Sequence, residues 1–267
     1  VTQPYPGPQQ PYQPQFQPHY QPQFHPQPYQ PVPPRYRPLR KVALVSIVLM
    51  GLTAVAAIVQ TALLWSSYDD VKRLVYGLLS EEEIDNGIES IAGTGPFLNL
   101  VTYLLLGTGI AFLIWLWQAR ENTAYLYSPL APRPPLDPQR GRHRLSPGWV
   151  VGAWFCPIVQ FWYPLQVVED VVRASEPVQP GRIRLLLRGW WATWTAFWVV
   201  LLGGTTVGLV GFIVWIVRLV DAADAADATG DYVDIYDLQD FMVRVALAVN
   251  IGFTVATVLL ILAGVAA

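Results

Sequence analysis

Seven aspartates stand at positions 221, 224, 227, 231, 234, 237 and 240. Steps of three or four residues place the first four on one face of a helix. Alanine dominates between them as far as Ala228, and Thr229-Gly230 reads as an interruption. A row of carboxylates is the raw material of a hard-cation site. This row lacks the Asp-x-Asp-x-Asp-Gly order of a calcium loop, so the plainer expectation is a solvated acidic face. Nucleophiles and bases are scarce. Cys156 is the sole cysteine, and the histidines are His19, His25 and His143. A Cys156–His143 dyad is set against a cysteine that behaves as a small apolar residue in a membrane segment. One cysteine excludes an internal disulfide and a cysteine-rich zinc site. There is no Gly-x-Ser-x-Gly elbow, no His-Glu-x-x-His and no P-loop. The expectation is therefore a protein that is not an enzyme, with no cofactor, no metal and no catalytic residue. Arg120, Glu121, Arg140, Arg142, Arg144, Glu169, Asp170 and Arg173 form a different kind of candidate, a polar cluster suited to anionic lipid headgroups or a partner protein. Ordinary anchoring of arginine on the cytoplasmic side is its plainer reading.

The elements that must carry these residues are greasy. Of 267 residues 53% are hydrophobic and 13% are charged, about half the charge of an average soluble domain. A net charge of −2 argues against nucleic acid as a partner. Four uncharged stretches are each long enough to cross roughly 30 Å of hydrocarbon as a helix: 42–65, 96–117, 190–217 and 245–267. None contains an ionisable side chain, the usual mark of a pump or an intramembrane enzyme. Asn99 and Asn250 within them are expected to bond neighbouring helices. The third stretch exceeds the hydrocarbon thickness, so it tilts, starts in the interface at its Trp190, Trp191, Trp194 and Trp198 cluster, or breaks at Gly203-Gly204. Gly204, Gly208 and Gly211 offer a close approach to another helix. Between the first two stretches, Val71, Leu74, Val75 and Leu78 make an amphipathic helical stripe.

Basic residues sort by side. Arg35, Arg37, Arg40 and Lys41 precede the first span, and nine arginines lie between spans two and three. Only Lys72, Arg73, Arg218 and Arg244 fall on the other side, among Asp and Glu. The positive-inside tendency then predicts a multi-pass protein of the cell membrane with both termini cytoplasmic. Arginine in place of lysine, with frequent Ala, Val and Gly, fits a high-GC bacterial genome.

The first 38 residues differ from the rest, with 13 Pro, 10 Gln and seven Tyr or Phe. Residues 11–26 form a tetrapeptide array with a proline at every fourth position. Proline removes backbone donors and disfavours helix for the residue before it, so the arm is expected to be a disordered, partly polyproline-II chain. Its even aromatics suit weak multivalent contacts with a protein partner, against the alternative of a simple tether. The first apolar run begins only at Val42, unlike a secretory signal. The two domains expected are the arm, 1–38, and a membrane domain, 39–267.

One further apolar stretch, 149–168, is uncharged and 20 residues long. Arginines flank both its ends, and Pro157 and Pro164 oppose a straight helix. A single crossing would put one arginine cluster outside, so the stretch is expected to enter and leave on one side, as a re-entrant hairpin or an interfacial helix. Ser146-Pro147-Gly148-Trp149-Val150-Val151-Gly152-Ala153-Trp154-Phe155-Cys156-Pro157-Ile158 resembles a recurring block of one bacterial membrane family, the domain-of-unknown-function family numbered 4328. So do Trp162-Tyr163-Pro164-Leu165-Gln166-Val167-Val168-Glu169-Asp170 and, at the end of span two, Trp117-Gln118-Ala119-Arg120-Glu121-Asn122. The resemblance implies a multi-span membrane protein and no particular activity. Trp117, Arg120, Asn122, Trp149, Trp154, Pro157, Trp162, Pro164, Glu169 and Arg173 are the candidate contacts for lipid or a partner protein.

The expected fold is thus all-α, an integral membrane four-helix bundle with one re-entrant or interfacial segment and a disordered arm. The expected role is a scaffold or interaction protein in the lipid bilayer. The alternative is a small oligomeric transporter or channel, a homo-oligomer with 149–168 as its gate.

Overall fold

Hydrocarbon offers no partner to a backbone N–H or C=O, so long apolar runs close their hydrogen bonds within themselves as helices. The computed structural model describes residues 35–78, 83–85, 93–128, 138–156, 158–175, 180–230 and 234–267. The helices that frame the molecule are α1 (Arg40–Ser66), α2 (Tyr68–Val75), α3 (Thr94–Leu126), α4 (Trp149–Phe155), α5 (Tyr163–Ala174), α6 (Pro180–Thr229) and α7 (Tyr236–Ala266). Short 3-10 turns lie at Pro138–Gly141 and Val159–Phe161. Four helices, those containing α1, α3, α6 and α7, are long and apolar enough to cross a membrane. Pro157, the array at 11–26 and Asp231 lie outside the described residues.

The four long helices lie side by side in the order α3, α1, α7, α6. Helix α3 meets α6 through rings near one end, Phe112 against Trp190 at 6.0 Å. The inner face of α1 is polar at every seventh position: Ser46, Thr53, Gln60 and Ser67 are all buried. Seven residues are close to two helical turns, so the four side chains share one seam. Three of them, Ser46, Thr53 and Ser67, bond back to carbonyls of α1. Across the seam Thr53 meets Thr108 of α3 at 3.0 Å, and Thr61 meets Thr257 of α7 at 2.8 Å. Asn250 Nδ2 donates to the Leu64 carbonyl at 3.2 Å, and Trp65 Nε1 donates to Thr254 at 2.9 Å. Asn250 therefore joins helices as expected. Asn99 does not sit in a helix interface; it is exposed on α3. Such bonds contribute on the order of 0.6 kcal/mol each in a bilayer, where the separated helices also find partners.

Helices α6 and α7 pack through small residues. A Cβ on Gly204 would stand 3.9 Å from the Gly252 backbone, and one on Gly208 would meet Val249 Cγ2 at 2.8 Å. The Gly203-Gly204 pair does not break the helix, which runs unbroken from Pro180 to Thr229. At about 1.5 Å per residue its 50 residues extend well past both faces of a bilayer. Arg184 and Arg188 lie on its first projecting turns, and Asp221, Asp224 and Asp227 on its last. Gly230 then adopts φ +69°, a left-handed conformation that suits glycine, and its N–H donates to the Ala226 carbonyl at 2.9 Å.

At the acidic end, α2 packs on α7, with the Tyr76 hydroxyl donating to Asp240. Val71, Leu74 and Val75 are half-buried there while Leu78 is exposed. The other end gathers the beginning of α1, the end of α3, Trp190 and Trp191 of α6 and the end of α7. Leu39, Leu116, Ala119, Ala263 and Ala266 join one hydrophobic cluster. Helices α4 and α5 pack into that same cluster through Val150, Val167, Val168 and Val171.

Candidate functional site

The polar block at the end of α3 ties two other segments of the chain to that helix. Trp117 Nε1 donates to Glu121 Oε1 one turn later, at 3.0 Å. Arg120, buried, sends Nη2 to the Leu145 carbonyl in the loop before α4. Asn122, also buried, takes the backbone N–H of Arg37 on Oδ1 at 2.8 Å and returns Nδ2 to the Arg37 carbonyl at 2.7 Å. This amide pairs with one residue of backbone as a neighbouring strand would. The Arg37 side chain adds an ion pair with Glu121 at 3.2 Å, and Tyr36 lies against the Tyr125 ring at 6.0 Å.

The loop before α4 is closed by Asp170 of α5, which is 1% exposed. One carboxylate oxygen accepts the Arg144 backbone N–H at 2.7 Å, and the other accepts Arg144 Nε at 2.8 Å and Arg173 Nη2 at 3.0 Å. Arg144 Nη2 also reaches Glu169 at 2.9 Å and the Gln166 carbonyl at 3.1 Å. Arg173 Nη2 caps the Arg142 carbonyl at 2.7 Å. Burial works against the charge on Arg144, but the hydrogen bonds and charges of Glu169 and Asp170 outweigh it and raise its pKa. Beside this pair His143 Nε2 meets Thr123 Oγ1 at 2.8 Å. Burial holds the His143 imidazole below its ordinary range; Arg120 and Arg173 push the same way and Asp170 opposes. Gly141 sits under the Tyr127 ring so closely that a Cβ there would lie 2.5 Å from it.

Arg144 precedes the apolar stretch 149–168 and Arg173 follows it, and one carboxylate holds both. The stretch therefore begins and ends at the same end of the bundle. It is also not one helix: α4 stops at Phe155, and Cys156 turns to extended backbone at ψ 114°. Helix α5 starts with Pro164 in its first turn, where a missing N–H costs nothing.

The ten candidate contacts divide accordingly. Trp117, Arg120, Asn122, Glu169 and Arg173 assemble into the rim of charged and amide groups just described. Trp149 packs edge-on against Tyr163 at 4.9 Å, Trp154 lies among Phe112, Trp190, Trp191 and Trp194, and Pro164 is fully buried. Trp162 is exposed, and Pro157 is outside the described residues. Asp170 and Arg144 belonged only to the wider cluster in the sequence, yet they are its centre. No sequence signal points to Thr123 or His143 at this site. The Cys156 thiol and His143 lie in different parts of the fold, in the turn after α4 and in the rim. Among the described residues no group of His, Cys, Asp and Glu is placed to hold a metal ion.

Four apolar helices long enough to span a bilayer, tied at one end by a charged rim, define a multi-pass α-helical membrane protein. The chain belongs to the family described as Domain of unknown function (DUF4328), whose model matches residues 86–266. No curated protein and no solved structure matches it. The matched residues hold the rim and the apolar stretch, whereas α1 and the Arg37 backbone it presents to Asn122 precede them.

Proposed function

We propose that this chain is a non-enzymatic scaffold of a bacterial cell membrane that presents its proline-rich arm to a protein partner in the cytoplasm. The observation that carries the reading is the paired hydrogen bonding of Asn122 with the backbone of Arg37. It roots the arm at one place on the rim, and a tether without a partner has no use for a rooted exit. The absence of ionisable residues from the four apolar stretches speaks against a pump or an intramembrane enzyme. The sorting of arginine and aspartate to opposite ends supports cytoplasmic termini. The evenly spaced aromatics of 11–26 supply the contact chemistry, weak singly and additive together.

The test is a photo-crosslinking amino acid at Tyr20 of the full chain in its own membrane. Discrete protein adducts that decline on Asn122→Ala support the scaffold. Adducts only to lipid or to the chain itself reject it. Flux of ions or solutes through purified protein in liposomes, lost on Pro157→Ala, would replace the scaffold with the transporter reading.

A further inference from the structure

The backbone leaves helical geometry between α4 and α5, and its position along the bundle can be read from ring contacts. Arg120 marks the charged rim on α3. Phe112 lies eight residues earlier on that helix, about 12 Å along the axis. Trp154, near the end of α4, sets its ring on Phe112 at 5.6 Å and on Trp194 of α6 at 6.4 Å. Helix α4 therefore descends from Arg144 at the rim to the level of Phe112, and α5 climbs back from Tyr163 to Asp170. Phe112 and Trp194 both belong to uncharged spans, so the turn lies at the depth of hydrocarbon rather than above it.

Irregular backbone is tolerated at that depth only where the protein satisfies it, and the described residues of the turn carry such bonds. Trp191 Nε1 donates to the Phe161 carbonyl at 3.1 Å. The N–H of Gln160 donates to the Cys156 carbonyl at 3.0 Å, and that of Trp162 to the Val159 carbonyl at 3.1 Å. A proline at 157 has no N–H to satisfy. The side chains beside this turn are apolar and bare: Phe155 and Ile158 are each 72% exposed, and Phe161 and Trp162 are exposed as well. Ile110 and Ile114, at the same level of α3, are also exposed.

We infer that 149–168 is a re-entrant hairpin whose tip enters the acyl chains of one leaflet, so that lipid hydrocarbon covers Phe155, Ile158, Phe161 and Trp162. The depth of the turn, level with Phe112 and Trp194 of two uncharged spans, identifies the occupant. A water-facing tip would leave four large apolar side chains in solvent beside a rim rich in arginine. A helix lying flat in the interface would put Trp154 level with Arg120 instead of about two turns deeper.

Cys156 is the only cysteine, so the natural chain carries its own probe position. The full-length protein is labelled there with bimane and reconstituted in liposomes containing lipids brominated either at mid-chain or near the headgroup. The same is done with Ile158→Cys and, as a rim control, Arg142→Cys, both in a Cys156→Ser background. The inference expects the labels at 156 and 158 to be quenched most by mid-chain bromine and little by iodide, and the label at 142 to show the reverse. Iodide quenching at 158 equal to that at 142 overturns it in favour of a water-exposed tip. Stronger quenching at 158 by headgroup-level bromine overturns it in favour of a flat interfacial helix. The Cys156 label on the unaltered sequence keeps the experiment decisive should either variant fail to insert.

Discussion

Arg144 and Asp170 meet twice: the carboxylate takes the arginine's backbone N–H at 2.7 Å and its Nε at 2.8 Å. Twenty-six residues separate them, and the whole apolar hairpin lies between. A bond of side chain to side chain sets charge against charge, whereas the bond to the backbone N–H fixes the path of the loop. Because Arg173 binds the same carboxylate, one nearly buried acid closes both ends of the hairpin.

Asp170→Asn should therefore cost more than a surface ion pair. Hydrogen bonds to charged groups contribute about 1.5–3 kcal/mol, and the partial exposure of Arg144 and Arg173 argues for the lower part of that range. Asparagine offers one acceptor oxygen where two are used. The unfolding midpoint of the purified protein should fall, and Arg144→Lys should fall with it because an ammonium has no fork to match the carboxylate. Equal stability of Asp170→Asn and the native chain would remove Asp170 from the centre of the rim.

Asn122→Ala should release residues 35–39 without disturbing insertion. Two neutral hydrogen bonds are lost, each with a net contribution of about 1 kcal/mol. Asn122→Asp keeps an acceptor for the Arg37 N–H but has no donor for its carbonyl, so it should fall between. Amide hydrogen exchange at Arg37 reads this directly: fastest in the alanine variant, intermediate in the aspartate variant and slowest in the native chain.

Gly211→Ala should push α6 off α7, since the new Cβ would stand 2.7 Å from Val245 Cγ2. Overpacking of this kind costs about 1–3 kcal/mol. Val245→Ala should restore most of the loss in the double variant, because it removes the atoms that clash. A double variant no more stable than Gly211→Ala alone would place the strain elsewhere. Gly107, with open space around its Cβ position, is the control and should accept alanine.

The rim should loosen in mild acid. The neutral imidazole of His143 is the favoured folded form, because burial depresses its pKa. A base with a depressed folded pKa contributes stability that is complete above its unfolded value, about 6.5, and is lost as pH falls from there towards the folded value. The melting temperature should drop as pH falls below about 6.5. His143→Gln, which cannot titrate, should show a shallower drop. An unchanged slope would assign the pH dependence to other groups.

The all-α class and the four spans were legible because each is a property of composition along the chain, and the family because blocks such as Ser146 to Ile158 resemble its recurring motifs. The apolar stretch 149–168 was legible as a bent segment, through Pro164 and its flanking arginines. The choice of Asp170 over Glu169 was not. Both are carboxylates on one helix, and only the packing of Val167, Val168 and Val171 against Leu116 turns Asp170 inward. The span of α6 was under-read at both ends, because its Arg-rich and Asp-rich extensions carry charge and a hydropathy reading stops at charge. Its glycines suggested a close approach but could not name Gly252, Val249 and Val245 as the surfaces met.

By itself the sequence determined how many helices are long and apolar enough to cross a membrane and where the basic residues flank them. Hydrocarbon thickness sets a length, and the cost of a charge in lipid sets where each span must stop; both act on a single segment at a time. Only the tertiary structure decided that Asn122 holds Arg37, 85 residues away, that α1 lies between α3 and α7, and that Asp170 joins the two ends of the hairpin. Those pairings depend on which helix faces meet, and no local pattern of residue types specifies that.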